Sequence, residues 1–254
     1  MDRVACQQFL ELERTHWWFE GRRRIFFHLL REAIGARRGL RLLDVGCGVG
    51  GMMTELRSFG EPLGIDLDLT MVRMCRERGF SGAFLGSGEA LPVADGSLDL
   101  VTFFDCIEHI DDDEATLRGA LRVLKPGGLL FLSVPAFQFL YANNDRVAHH
   151  KRRYRLRPLR EKLRRAGFEI QRSSYVNALL FPLILPTVLF IKLSEKLRNP
   201  RETTNLTYRM PRIAHKLLST IFSAERHLVS RWTLPLGHSI CVLAARPRTE
   251  SAEQ

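Results

Sequence analysis

The sequence predicts an α/β protein built on a mostly parallel sheet. Three observations carry that expectation. Short apolar runs of strand type alternate with amphipathic stretches through the first 135 residues. The first run, "LRLLDVG", passes directly into a glycine-rich loop, "GCGVGG", and then into helix-type sequence. The second run, "PLGIDLD", ends in acidic residues. Strands linked through helices pair in parallel, with right-handed crossovers.

Residues 1–38 read as a helical N-terminal element, apolar at helical spacing over 11–31 and interrupted by "HWWFEGRRRIFF". "LRLLDVG" is the first strand, and a helix starts over 52–59 directly after the glycines. "PLGIDLD" is the second strand, followed by a helix over 70–78. "GAFLGSG" is a weak third strand and "SLDLVTFFDCI" a fourth. A helix carrying Leu117, Leu121 and Leu124 on one face runs to the turn "KPGG", and "GLLFLSVPA" is the fifth strand. After Pro135 the alternation stops. A basic segment over 146–165 leads to a sixth strand, "GFEIQRSSYV". Residues 178–191 are strongly apolar but contain Pro182 and Pro186, and they are too short to span a bilayer. Two readings stand for them: a buried helical hairpin, or a segment dipping into a membrane interface. Lys192, Lys196, Arg198 and Arg201 follow at once and suit an anionic surface. A basic, mostly helical stretch continues to Trp232, "GHSICVLAARP" is a final strand, and the tail beyond Arg246 reads as disordered. The expected division is 1–38 and 39–254, with 178–232 as a helical insertion before the last strand.

The composition is that of an ordinary globular protein, but the net charge of +10 favours anionic partners. The five cysteines are scattered, without metal-ligand spacing, which fits a reducing compartment and predicts no metal site. The N-terminus carries charges throughout and does not read as a signal peptide, so a cytoplasmic protein is expected.

The glycine loop satisfies two motifs. Gly46, Gly48 and Gly51 spell G-x-G-x-x-G, which suits a dinucleotide; Gly46, Gly48 and Gly50 spell G-x-G-x-G, which suits a nucleoside without a diphosphate. Asp44 bears on the choice, because a carboxylate at the end of this strand repels a pyrophosphate and attracts a sulfonium or ammonium cation. Asp66 ends the second strand, where a carboxylate accepts from both ribose hydroxyls of either cofactor class. With these residues the sequence resembles the class I S-adenosylmethionine-dependent methyltransferases. "LLDVGCGVGG" looks like their first motif and "GIDLD" their second. "GEALPVADGSLDLVTFFDCIEHI" resembles the methyltransferase type 11 and 12 pattern, and "LRVLKPGGLLFLSVP" the strand and turn that follow. The resemblance implies a Rossmann-like, seven-stranded sheet whose last strand is antiparallel, and S-adenosylmethionine as cofactor. It implies a cofactor set of Asp44, Gly46, Gly48, Gly50, Asp66, Leu67, Ser87, Glu89, Asp105 and Arg22. In that set Asp105 stands at the methionine end, Arg22 or Arg23 meets the methionine carboxylate, and Ser87 takes the place of the family's usual adenine-binding carboxylate.

For the acceptor, "NDRVAHHKRRY" resembles the D-x-x-x-G-H-x-R-R-Y element of some methyltransferases associated with glycan and lipid pathways, with His149 where glycine is usual. Asp145, His150 and Tyr154 are the catalytic candidates it implies, with His150 a base near neutral pH. Arg152 and Arg153 suit an anionic acceptor, and equally a solvated helix start. Glu108 and His109 stand as braces of the following helix or as acceptor-side groups. "HWWFEGRRRI" resembles an N-terminal element paired with that motif, in which Trp17, Trp18 and Phe19 form either a lid or plain packing. The function implied is methyl transfer to a small-molecule, glycan or lipid-linked acceptor, with peripheral contact to an anionic membrane. A nucleic-acid (RNA) methyltransferase is the alternative suggested by charge, although no RNA-binding module is recognisable. A non-catalytic binding protein on the same fold is a third reading.

Overall fold

A computed structural model of the protein describes residues 10–13, 15–197 and 211–248, without the side chains of 195–197. Expectations for Cys6, the Lys196 side chain, Arg198, Arg201 and most of the tail therefore lie outside the described residues. Seven strands form one sheet: β1 Leu42–Val45, β2 Pro62–Asp66, β3 Ala83–Leu85, β4 Leu98–Phe104, β5 Leu124–Pro135, β6 Glu169–Val176 and β7 Ser239–Ala245. Their spatial order is β3-β2-β1-β4-β5-β7-β6. Every pairing is parallel except those of β7, which lies antiparallel between β5 and β6. Among the described residues the helices that follow His16 are α1 Trp17–Ile34, α2 Met53–Leu56, α3 Leu69–Glu77, α4 Asp113–Val123, α5 Asn143–Val147, α6 Leu156–Arg165, α7 Phe181–Leu197, α8 Arg212–Ala224 and α9 Arg226–Val229.

The central strands read as unbroken apolar runs because both faces are covered. On one face Leu117 and Ala120 of α4 and Leu159 and Leu163 of α6 pack with Val101, Phe103 and Leu130. On the other, Ile25, Phe26 and Leu30 of α1 and Phe222 of α8 pack with Leu100, Leu129 and Phe131. At roughly 1.5–3 kcal/mol for each fully buried large apolar side chain, these two layers dominate the favourable side of folding.

Helix α1 shows why its local sequence misleads. The stretch that reads as an interruption is the helix itself. The break falls at His16, whose Nδ1 accepts a hydrogen bond from the Trp18 N–H at 3.3 Å and caps the first turn. Gly35, at φ 64°, closes the other end with its N–H on the Arg31 carbonyl. Gly21 lets α1 approach α8, since a Cβ there would run into the Phe222 ring.

Two further expectations are corrected. "KPGG" is a bulge inside β5 and not a turn before it: the pairing with β4 steps from Leu98↔Leu124 to Leu100↔Leu129, and Gly127 takes φ 76°. Leu124 consequently begins the strand, one residue after α4 ends. The apolar segment is not a hairpin either; α7 is one helix running through Pro186. Pro182 sits in its first turn, where a missing N–H costs nothing. Leu183, Leu189, Phe190 and Leu193 of α7 are 47–71% exposed, and on α8 Ile213 is 85% and Leu217 58% exposed. Among the described residues no helix is long and apolar enough to cross a membrane.

Candidate active site

The chain builds outward from β1 to β2 and β3, then returns to place β4 on the other side of β1. Where the winding reverses, the loops leaving β1 and β4 diverge and open a crevice at the carboxyl ends of the strands. A cleft of about 370 Å³ lies there. Gly46, Asp66, Leu67, Ser87, Glu89 and Asp105 line it, together with His109 and Lys151.

The glycine loop answers the choice between its two motifs. Gly46, Gly48 and Gly50 all have positive φ, at 74°, 54° and 80°, whereas Gly51 does not. The G-x-G-x-G spacing is therefore the one that the backbone needs. Asp66 ties this loop to the second strand. Its Oδ2 accepts from the Gly48 N–H at 2.9 Å and its Oδ1 from the Asp68 N–H at 2.9 Å. A carboxylate offers about four acceptor positions, so two remain for a ligand. Leu67 beside it is 73% exposed, an apolar wall facing the cleft. Across β3, Ser87 Oγ accepts from the Glu89 N–H at 3.1 Å, and Glu89 Oε1 accepts from the Asp112 N–H at 3.3 Å.

Asp44 does not reach the cleft. It is 2% exposed, and Thr102 Oγ1 donates to its Oδ1 at 2.8 Å. Burial pushes its carboxyl up to about 7; the Thr102 hydrogen bond opposes this, and the negative charges of Glu13 and Asp66 add to it. At the start of the loop after β4, Asp105 adopts φ 49°, a strained conformation for a residue with a side chain. It is held there by its N–H on the Ser133 carbonyl at 3.1 Å and by Ser133 Oγ, which donates to Oδ1 at 2.9 Å. Its Oδ2 pairs with Arg22. Arg22 is itself 3% exposed, with its guanidinium 4.1 Å from the Trp18 ring centroid. It acts on the cleft through Asp105 and does not line it. Trp18 and Phe19 pack edge-on to each other and against Arg22, Trp17 packs on Phe222, and none of the three lines the cleft.

On the acceptor side, Asp145 stands in the first turn of α5, where its Oδ2 accepts the Ala142 N–H at 2.9 Å. His150 Nδ1 lies 2.8 Å from its Oδ1. Arg153 grips both oxygens, with Nε at 2.7 Å from Oδ1 and Nη2 at 2.9 Å from Oδ2. Burial opposes the charge on Asp145, but the hydrogen bonds from His150 and Arg153 prevail and hold its carboxyl well below the usual carboxylate range. An ionised acceptor at Nδ1 fixes the histidine tautomer, with the proton on Nδ1 and the lone pair on Nε2. That Nε2 lies 3.9 Å from Glu108 Oε1. Glu108 is fully buried, and burial with the nearby Asp105 charge raises its carboxyl well above the ordinary range. The His109 ring packs edge-on to that of His150, with centroids 4.8 Å apart.

Three expectations meet the geometry here. Tyr154 turns inward: it is 8% exposed and its hydroxyl donates to Asp113 Oδ2 at 2.9 Å at the head of α4, so it braces the scaffold. Burial and the Asp113 charge push its phenol up, further from any role as a base. Arg153 is spent on Asp145, and Arg152 on the Asp111 carbonyl at 3.0 Å and on Asp113 at 3.4 Å, so neither is left to clamp an acceptor. Glu108 and His109, open to a purely structural reading in the sequence, instead converge on His150. Nothing in their spacing reveals this, because the partners arrive from separate loops.

Comparison with known proteins matches residues 43–132 to the methyltransferase domain family. A ubiquinone biosynthesis O-methyltransferase of Xanthomonas oryzae pv. oryzae is 39% identical over 103 residues, covering 37% of this chain and 43% of that protein. The chain thus spans less than half the length of the curated relatives it matches. Among solved structures, a chain from the complex between the Haloferax volcanii Trm112 methyltransferase activator and a methyltransferase aligns with a TM-score of 0.60 at 18% identity, covering 97% of this chain and 96% of that one. Haemonchus contortus phosphoethanolamine N-methyltransferase 2, solved with S-adenosyl-L-methionine, aligns with a TM-score of 0.56 at 20% identity, covering 88% and 52%. These structural likenesses establish the fold; chemistry has to be argued from the site.

Proposed function

We propose, for a chain whose residues 43–132 match the methyltransferase domain family, that it is a class I S-adenosylmethionine-dependent methyltransferase and transfers a methyl group to a hydroxyl of a small, hydrophobic-tailed acceptor. The observation that carries the reading is the cleft itself, with a carboxylate, an exposed leucine and a serine–glutamate turn arranged along one wall. Bound there, S-adenosylmethionine supplies an activated methyl on a sulfonium sulfur. Asp66 uses its two remaining acceptor positions on the ribose hydroxyls, Leu67 covers an adenine face, and Ser87 and Glu89 meet the adenine edge. Asp105, steadied by Arg22, faces the cationic methionine end. His150 Nε2 takes the acceptor's proton, with Asp145 stabilising the imidazolium that results. The relatives named for ubiquinone biosynthesis O-methylation support oxygen as the acceptor atom. The exposed leucines of α7 and α8, beside a basic stretch, support an acceptor with a lipid portion and peripheral attachment to an anionic membrane.

The test supplies methyl-labelled cofactor to the protein with cell extract split into lipid, small-molecule, nucleic-acid and protein fractions. Label is expected in the lipid or small-molecule fraction. Label confined to nucleic acid would replace this reading with the RNA one, and cofactor binding without any labelled product would favour a binding protein.

A further inference from the structure

Three donor atoms of the acceptor side meet at one point. One oxygen of Glu108, one ring nitrogen of His109 and one of His150 all lie within 4.8 Å of one another. Glu108 is 0% exposed, and neither of its oxygens has a hydrogen-bond partner among the described residues. A carboxyl buried in that state is unfavourable until a cation or a donor reaches it. Both imidazoles are braced from behind. His150 is held through Nδ1 by Asp145 at 2.8 Å, and Asp145 in turn by Arg153; His109 Nδ1 lies 3.3 Å from the His149 carbonyl. Such outer supports are what orient metal-ligating histidines and settle their tautomers. Two imidazoles and a carboxylate suit zinc and related divalent transition ions, whereas magnesium and calcium prefer oxygen throughout. Two ligands on one tetrahedral zinc stand about 3.4 Å apart, so the 3.9 Å between His150 Nε2 and Glu108 Oε1 needs a small contraction, and donors up to 4.8 Å apart need a side-chain adjustment of about an ångström.

We propose that Glu108, His109 and His150 form a divalent transition-metal site, with zinc the favoured ion, whose open coordination position takes the hydroxyl oxygen of the acceptor. His109 also lines the cofactor cleft, which places that position beside the methyl donor. This revises the sequence expectation of no metal, which rested on cysteine spacing. It rests on the reading of the cleft as a methyltransferase site, and it gives His150 Nε2 a ligand's role in place of a base's. The acceptor O–H then breaks on the ion: the electron pair stays on the metal-bound oxygen and the proton passes to water.

The test is calorimetric titration of the chelator-stripped full chain with zinc and, separately, with magnesium, followed by cobalt(II) and its visible spectrum. One zinc per chain is expected, with no magnesium binding and with the intense visible bands of low-coordinate cobalt. Glu108→Gln, which keeps the side chain's shape, and His109→Ala should each weaken zinc by at least the ~10–100-fold that loss of an outer support costs, and Glu108→Gln, whose residue does not line the cofactor cleft, should leave S-adenosylmethionine affinity unchanged. Absence of stoichiometric zinc, or zinc binding indifferent to both substitutions, overturns the proposal. If methyl transfer continues at full rate in chelator, the metal site fails while the methyltransferase stands. Stoichiometric zinc binding in a protein that binds no S-adenosylmethionine keeps the ion site but removes the methyltransferase reading and, with it, the acceptor role of the open position.

Discussion

Replacing Asp66 by Ala tests the cofactor reading most directly. The side chain is placed to do two things at once: it ties Gly48 and Asp68 together through their N–H groups, each at 2.9 Å, and it presents two further acceptor positions to the cleft. The ligand loses two hydrogen bonds to a charged acceptor. At the low end for such bonds in a half-exposed site, this is about 2–3 kcal/mol. An affinity for S-adenosylmethionine weaker by roughly 30–150-fold is the expected result. Asp66→Asn is not a milder change. Both neighbours are N–H donors, and an amide has one oxygen to offer them, so its NH₂ must face one of the two. We therefore expect Asn to fall close to Ala. Isothermal titration with S-adenosylmethionine reads the affinity. Melting of the ligand-free variant reads the loop tether separately, at about 2–4 °C per kcal/mol for a chain of this size. An unchanged dissociation constant in a folded Asp66→Ala protein refutes the assignment of the cleft.

Gly48→Val should abolish cofactor binding. The residue has φ 54° with nothing within 4 Å of a Cβ, so the harm comes from a β-branched side chain in left-handed backbone and from added methyl groups where the ligand approaches. A folded variant with normal titration would refute this. His150→Ala should keep cofactor affinity and lose about 10²–10⁴-fold in kcat, read with the true acceptor; full turnover removes the residue from the chemistry. Stability should fall as pH rises from about 4 to about 7, because buried Asp44, held near 7 against an ordinary 3.8, keeps its proton in the folded state after the unfolded chain has lost it. That linkage is worth about 4 kcal/mol at most, and urea unfolding across the range should show a flatter profile for Asp44→Asn; equal slopes would deny it. Vesicles containing acidic lipid should float the protein at low salt and release it at high salt. A protein that stays at the bottom under both conditions has its exposed α7 leucines for some other purpose.

What could be read from the sequence was what depends on near neighbours. Asp66 and the glycines sit within one strand-loop-strand unit, so their spacing already encodes the loop that approaches a ligand. The strand runs carry their own burial, and the position of the cleft follows from their order. The acceptor side depends instead on which way each residue of a loop points. "HKRRY" puts His150 toward Glu108 and turns Tyr154 to Asp113, and no local pattern distinguishes the two directions. Arg153 looked free for an anion because its partner, Asp145, is set by the fold of a short helix and a return loop. The prolines of 178–191 suggested a hairpin because a first-turn proline and a breaking proline look alike until the helix start is known.

The placement of β7 has a consequence for how the protein is made. Its seven residues pair with β5 on one side and β6 on the other, and all are buried. On a ribosome, β5 and β6 emerge early but have no contact with each other to form; the strand that joins them comes last, after the whole α7–α9 region. Until then two apolar strand edges wait unpaired, a template for association with other chains. The seventh strand therefore acts as the keystone of assembly. Slow synthesis of β7, or deletion within Ser239–Ala245, should be felt as aggregation during synthesis well before it is felt at the cleft, although no residue of that strand lines the cleft.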